Sequence, residues 1–178
     1  MRCTILVRAT LSAACLMMGG PAIAAEFSAK FSGFQEVGGI GAAQTGAIFS
    51  AGKATMDLKL NRNTRAIAYK LSYSDLGTTV TQAHIHFGKV HVGGGIIVFL
   101  CTNLGNGPAG TPACPPSGTV TGTLLPASVV GPGSQNIVAG NWDAFVAALE
   151  SDTAYGNIHT TQFPAGEIRG QVRRGDDN

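Results

Sequence analysis

The chain contains four histidines, and two of them form a His-x-His pair at His84 and His86. In a β-strand, residues i and i+2 project from the same face, so the two imidazoles should lie side by side, with Cβ atoms about 6.5–7 Å apart. Imidazole nitrogens bind zinc and copper with bonds of about 2.0–2.1 Å. The pair therefore predicts one half of a zinc or copper site.

A third ligand must come from a distant part of the chain. His159 is the strongest candidate, because strand alternation places it on one face together with Tyr155 and Asn157. The residue between them, Ile158, points to the other face. We therefore predict that His159 joins the His-x-His pair in a metal site that has no assigned catalytic residue.

The remaining histidine, His91, lies on a loop beside three glycines and is a weaker candidate for the third ligand. All of these histidines also fit a role without a metal. Their ring nitrogens could bond to carbonyl or carboxylate groups across a sheet and fix the strand register. Both interpretations remain open from the residues alone.

Two charged residues of the last predicted strand, Glu167 and Arg169, share a face by the same alternation. They could form an ion pair across the sheet near His159. The favoured interpretation is an ordinary exposed pair, which contributes about 0.2–1 kcal/mol to stability.

Short alternating segments separated by turn residues continue from residue 26 onward, as is typical of β-sandwiches and barrels. One helix is predicted at Trp142–Glu150, with Asn141 as its N-cap. The pattern predicts an all-β fold, an antiparallel β-sandwich or Greek-key barrel with one short helix. The predicted strands cover residues 27–32, 46–60, 65–73, 80–87, 96–101, 118–125, 154–160 and 167–172.

Residues 1–25 have the pattern of a secretory signal peptide: an early arginine, an apolar run and a final small-x-small segment, Ala22-Ile23-Ala24. Cleavage is predicted after Ala24 or Ala25. The apolar run of about 15 residues is shorter than the ~20 that a membrane-spanning helix needs. We therefore expect an exported protein, periplasmic or extracellular, with no membrane span in the mature chain.

Export would leave two cysteines, Cys101 and Cys114, in an oxidising compartment, where a lone pair is most simply a disulfide. The mature domain is predicted over residues 26–173, followed by a frayed tail at 174–178. The full chain of 178 residues, before processing, leaves room for one ordinary domain. Without Arg2 and Arg8, ten basic residues balance ten acidic ones, so nucleic acid is not an expected partner.

Three segments together resemble a known family, the CHRD domain that is repeated in chordin and occurs singly in exported bacterial proteins. They are 31–37 (Phe-Ser-Gly-Phe-Gln-Glu-Val), 83–86 (Ala-His-Ile-His), and 157–160 (Asn-Ile-His-Thr) running into 163–171 (Phe-Pro-Ala-Gly-Glu-Ile-Arg-Gly-Gln). The resemblance covers roughly residues 27–172. It implies an immunoglobulin-like or superoxide-dismutase-like sandwich with no established enzymatic activity.

Three function classes follow. The first is an exported, non-catalytic binding or structural module, possessing a His-lined metal or ligand site and an unknown protein or small-ligand partner. The second is a redox enzyme dependent on copper or zinc, because the chain is similar to copper-zinc superoxide dismutases in its His-x-His strand and nearby disulfide. A carbohydrate- or matrix-binding surface is a third possibility.

Overall fold

The computed structural model describes residues 25–38 and 46–175 of the chain. In these residues the chain forms two antiparallel sheets and one α-helix, α1 (Trp142–Glu150). The strands are β1 (Ala25–Phe31), β2 (Lys53–Asn61), β3 (Ala66–Ser74), β4 (Val80–Phe87), β5 (Gly95–Thr102), β6 (Gly118–Leu124), β7 (Ala154–Thr160), β8 (Ile168–Gln171) and β9 (Arg173–Arg174). Apart from Ala25, the predicted signal peptide lies outside the described residues.

The sandwich follows from strict alternation of apolar and polar residues along the strands. In β2, every second residue is buried, and Met56, Leu58 and Leu60 are fully inaccessible to solvent. They belong to the same core cluster as Ala83 and Ile85 of β4, in the other sheet. Because a strand with one buried face must pack that face against a second layer, two sheets result. The predicted all-β sandwich is confirmed.

The order of strands explains how distant histidines can meet. One sheet has the order β6-β3-β2-β1-β9, and the other has the order β5-β4-β7-β8. Strands β4 and β7 are far apart in sequence but pair directly in the centre of the four-stranded sheet. Any residues that share a face of these two strands are therefore neighbours.

The helix and the disulfide agree with the sequence predictions. Helix α1 spans Trp142–Glu150, and the side-chain oxygen of Asn141 accepts a hydrogen bond from the Ala144 N–H at 3.1 Å. Cys101 and Cys114 are joined by a disulfide across a separation of 13 residues. By the loop-entropy model, closing a loop of this length stabilises the fold by about 3 kcal/mol.

Two predicted boundaries were wrong. The second strand was expected from residue 46 but begins at Lys53. The residues immediately before Lys53 do not form strand-to-strand hydrogen bonds. Instead, the Ile48 N–H donates to the Gly33 carbonyl, and the Ser50 hydroxyl donates to Glu167. At the other end, Arg174 does not fray, since the short strand β9 pairs with β1. Residues 176–178 lie outside the described part.

In residues 25–38 and 46–175, no helix combines the length and the apolar character that crossing a membrane requires.

Candidate metal centre

The His-x-His pair lies on β4, and alternation directs it away from the core between the sheets. Ala83 and Ile85 belong to the core cluster, so His84 and His86 occupy the opposite face of the four-stranded sheet. In the ladder with β7, His84 is opposite Asn157 and His86 is opposite Tyr155. His159 is opposite Gln82, one step along the same face.

The pairing of β4 with its other neighbour, β5, is irregular at His84 and at His86. The register between β4 and β5 shifts between Ala83 and His84, and again between Ile85 and His86. The extra residues, Leu100 and Ile97, both lie on β5 and are fully buried. Bulges of this kind change the direction in which side chains point and are common next to functional sites.

The three predicted ligands, His84, His86 and His159, are brought together. Each can offer one ring nitrogen such that all three nitrogens lie within 4.8 Å of one another. The closest approach is 3.2 Å, between Nδ1 of His84 and Nε2 of His159. His91 does not join them, because it is exposed on its loop, with a left-handed φ of 61°.

Hydrogen bonds to backbone carbonyls fix the orientation of two of these rings. Nδ1 of His86 is 3.0 Å from the Gly94 carbonyl oxygen, and Nδ1 of His159 is 3.0 Å from the Pro164 carbonyl oxygen. A carbonyl oxygen can only accept, so both Nδ1 atoms carry the proton and donate. The Nε2 atom of each ring therefore holds a lone pair and can act only as an acceptor. This is the arrangement that proteins use to orient histidine ligands.

The protonation of the third ring follows from the second. Because Nε2 of His159 is an acceptor, Nδ1 of His84 must donate the hydrogen bond between them. Nε2 of His84 is then also unprotonated. Among the atoms of the described residues, neither Nε2 of His84 nor Nε2 of His86 has a hydrogen-bond partner. Buried polar atoms are rarely left unpaired, so both lone pairs are available to bind a ligand.

The electrostatics of the cluster favour neutral imidazoles. His84, His86 and His159 are 0%, 7% and 6% exposed. Burial lowers the pKa of His84 to about 2, with contributions from His159 and His86. Burial, with a contribution from His159, likewise lowers the pKa of His86 to about 3, and burial lowers the pKa of His159 to about 4. Neutral rings are the form that binds a metal ion.

Aromatic rings enclose the cluster. Phe99 and His84 pack edge-to-face, with ring centroids 4.4 Å apart. Tyr155 stacks on His86 at 4.8 Å, and the ring planes are 7° from parallel. The guanidinium carbon of Arg169 lies 3.4 Å from the centroid of the Tyr155 ring. His86, Tyr155 and Arg169 thus form a continuous stack.

Arg169 does not form the exposed ion pair with Glu167 that the sequence interpretation favoured. It is 2% exposed and donates to the carbonyls of Val92 and Lys89 at 3.0 and 2.8 Å. Glu167 is fully buried as well, but its carboxylate accepts hydrogen bonds from the hydroxyls of Ser50 and Thr160 and from the N–H of Gly77. The interpretation was wrong because loops cover the face on which Arg169 lies, which alternation alone does not reveal.

A buried carboxylate that the sequence did not single out as part of the site contacts Asn157 of β7. Glu36 is 3% exposed and accepts hydrogen bonds from the Val37 and Gly38 N–H groups and from the side chain of Asn157. A Cβ on Gly166, whose φ is +132°, would lie 2.5 Å from the same carboxylate. The one available signal was the position of Glu36 in the Gln-Glu-Val segment of the family pattern.

With this geometry established, we compared the chain with known proteins. The sequence model of the CHRD domain matches residues 27–172. The chain belongs to the CHRD domain family. No curated protein and no solved structure matched it.

Membership agrees with the three sequence segments that carry the resemblance, and it places the chain in a family of non-catalytic modules. All three histidines of the cluster lie inside the matched residues of this CHRD domain. Chemically, the cluster offers three neutral nitrogen donors in an enclosed space. That arrangement can hold an ion.

Proposed function

We propose that this CHRD domain is an exported, non-catalytic binding module in which His84, His86 and His159 hold one copper or zinc ion. The observation that carries the proposal is the convergence of three buried imidazoles, two of which present Nε2 lone pairs without a partner. A purely structural histidine cluster would be expected to satisfy these atoms.

The spacing of the nitrogens supports this assignment. Bonds of about 2.0–2.1 Å place three ligand nitrogens around one ion at roughly 3.3–3.6 Å from each other. One nitrogen of each ring already lies within 4.8 Å of the other two. Binding of an ion would replace the hydrogen bond between Nδ1 of His84 and Nε2 of His159, and rotation of the side chains would complete the site. The carbonyls of Gly94 and Pro164 keep Nε2 of His86 and of His159 available for the ion.

A dismutase-like activity is less well supported than binding. A catalytic metal keeps an open coordination position for substrate, whereas none of the three histidines is more than 7% exposed. Within residues 25–38 and 46–175, no aspartate joins the histidine group. The non-catalytic character of the family points the same way.

Metal analysis tests the proposal. After incubation with excess Zn²⁺ or copper and removal of the unbound metal, the wild-type protein should retain one ion per chain. His159→Gln should weaken binding by at least about 100-fold, since even changes to groups that only orient a ligand cost 10–100-fold. The measurement is elemental analysis combined with competitive titration against a chelator.

The matched control is His91→Gln, which removes an exposed histidine outside the cluster. This variant should bind the ion as tightly as the wild type does. A wild-type protein that retains neither metal would contradict the proposal. Equal binding by the wild type and His159→Gln would contradict the ligand assignment.

We further propose that residues 1–25 direct export. The disulfide supports this, because disulfides persist in oxidising compartments, and so does the family, whose members are typically extracellular. Mass spectrometry of the protein recovered outside the cytoplasm should give a chain beginning at Ala25 or Glu26. An exported chain that still begins at Met1 would contradict cleavage.

A further inference from the structure

We infer that the ion bound at this centre is copper(I) rather than zinc. The inference rests on the proposed metal site and concerns the identity and charge of its occupant. Three features of the structure carry it: the donor set, the enclosure of the site and the fixed charges around it.

The donor set carries no negative charge. The cluster consists of three imidazoles, and in the described part of the chain no thiolate or carboxylate joins it. An ion that leaves water for such a site keeps its whole charge in an environment of low polarity. The desolvation cost grows with the square of the charge, so it is about four times larger for Zn²⁺ than for Cu⁺. Structural zinc sites commonly offset this cost with thiolate ligands.

The enclosure favours a low coordination number. Zinc is almost always four-coordinate, and where the protein supplies three ligands, water or substrate supplies the fourth. Here Phe99 packs edge-to-face against His84, and Tyr155 stacks on His86. These apolar ring surfaces and the burial of all three histidines disfavour water as a fourth ligand. Copper(I) does not require a fourth ligand, and imidazole is among the donors that suit copper.

The fixed charges nearest the site do not assist a divalent ion. The guanidinium of Arg169 stacks on the Tyr155 ring, which itself stacks on His86. The buried carboxylate of Glu36 is engaged by Asn157 and two backbone N–H groups. The other buried carboxylate of the described residues, Glu167, is engaged by the hydroxyls of Ser50 and Thr160 and by the Gly77 N–H. Neither carboxylate is therefore free to offset the second charge of a divalent ion.

The test is a pair of competition titrations on the full chain with Cys3 and Cys15 replaced by serine, so that the only cysteines are those of the disulfide. Copper(I), kept reduced with ascorbate under anaerobic conditions, is titrated against a bathocuproine chelator, and Zn²⁺ is titrated against a zinc indicator. We expect one Cu(I) per chain, bound at least about 100-fold more tightly than Zn²⁺. X-ray absorption of the copper-loaded protein should show three imidazole nitrogens and no sulfur.

Two controls separate the histidines from other donors. His159→Gln should lose Cu(I) affinity, whereas His91→Gln should keep it. Mass spectrometry must show that the Cys101–Cys114 disulfide survives the titration, because free thiolates would bind Cu(I) independently. The absorption spectrum is recorded on a chain with unaltered histidines, so it decides the question even if a histidine variant does not fold.

The outcomes distinguish the inference from the proposed function. Tighter Zn²⁺ binding that depends on His159 would overturn the choice of copper(I) and leave the metal site standing. Binding of neither ion would overturn both. Copper bound through sulfur, or with a fourth oxygen ligand, would also overturn the inference.

Discussion

The free energy of unfolding of the metal-free protein should fall by about 6 kcal/mol between pH 7.5 and pH 5. The cause is the histidine cluster. Burial lowers the pKa values of His84, His86 and His159 to about 2, 3 and 4, from 6.5 in the unfolded chain. At pH 5 the unfolded chain binds protons that the folded chain excludes. Each histidine then costs about 2 kcal/mol of stability.

The sign follows from which state holds the protons. Well above pH 6.5 the three rings are neutral in both states and have no effect on the pH dependence. As the pH falls below 6.5, protonation favours the unfolded chain, so stability is lost progressively toward the folded-state pKa values. A loss of about 6 kcal/mol is comparable with the total stability of a typical domain, 5–15 kcal/mol. Metal-free protein should therefore unfold readily in mild acid.

Urea denaturation monitored by circular dichroism at several pH values measures this effect. The slope near pH 5.5 should correspond to uptake of about three protons per chain on unfolding. His91→Gln leaves the cluster intact, so this variant should still lose stability as the pH falls. A urea midpoint that stays constant between pH 7.5 and pH 5 would show that the cluster is already protonated in the folded state or open to water.

The positions of the three histidines could be anticipated from simple rules. Alternation puts His84 and His86 on one face of β4, and the same rule puts His159 beside Tyr155 and Asn157 on β7. What alternation could not supply is the pairing of β4 with β7, which decides whether the two faces meet. The family resemblance implied the sandwich within which this pairing occurs.

The surroundings of the histidines were not predictable in the same way. Alternation could not show that loops cover the face on which Arg169 lies, and it did not apply to Glu167, which precedes β8 and bonds to Thr160. Charged residues are almost never fully buried unless they are paired, so exposure was the natural expectation. Their burial depends on donors and acceptors that are distant in sequence, such as Ser50 and the carbonyl of Lys89. No local pattern in the sequence encodes these contacts.

Replacement of the buried arginine, Arg169→Met, should destabilise the protein by about 3 kcal/mol. The methionine keeps most of the apolar stem but loses two charge-assisted hydrogen bonds, to the carbonyls of Val92 and Lys89, and the stacking on Tyr155. Arg169→Lys should recover little of this loss, because one ammonium group cannot reproduce the planar fork of the guanidinium. Urea denaturation at pH 7.5 measures both variants.

The same substitution at Arg173 provides the matched control. Arg173 is 36% exposed and pairs with Asp152 at 3.1 Å on the surface, so Arg173→Met should cost less than about 1 kcal/mol. Arg169 should also influence the metal centre, because it bonds to the loop whose Gly94 carbonyl orients His86. We expect Arg169→Met to weaken metal binding by about 10–100-fold, with no change for Arg173→Met. If both methionine variants matched the wild type in urea midpoint and in metal affinity, Arg169 would have no positioning role, and the stack on His86 would be incidental packing.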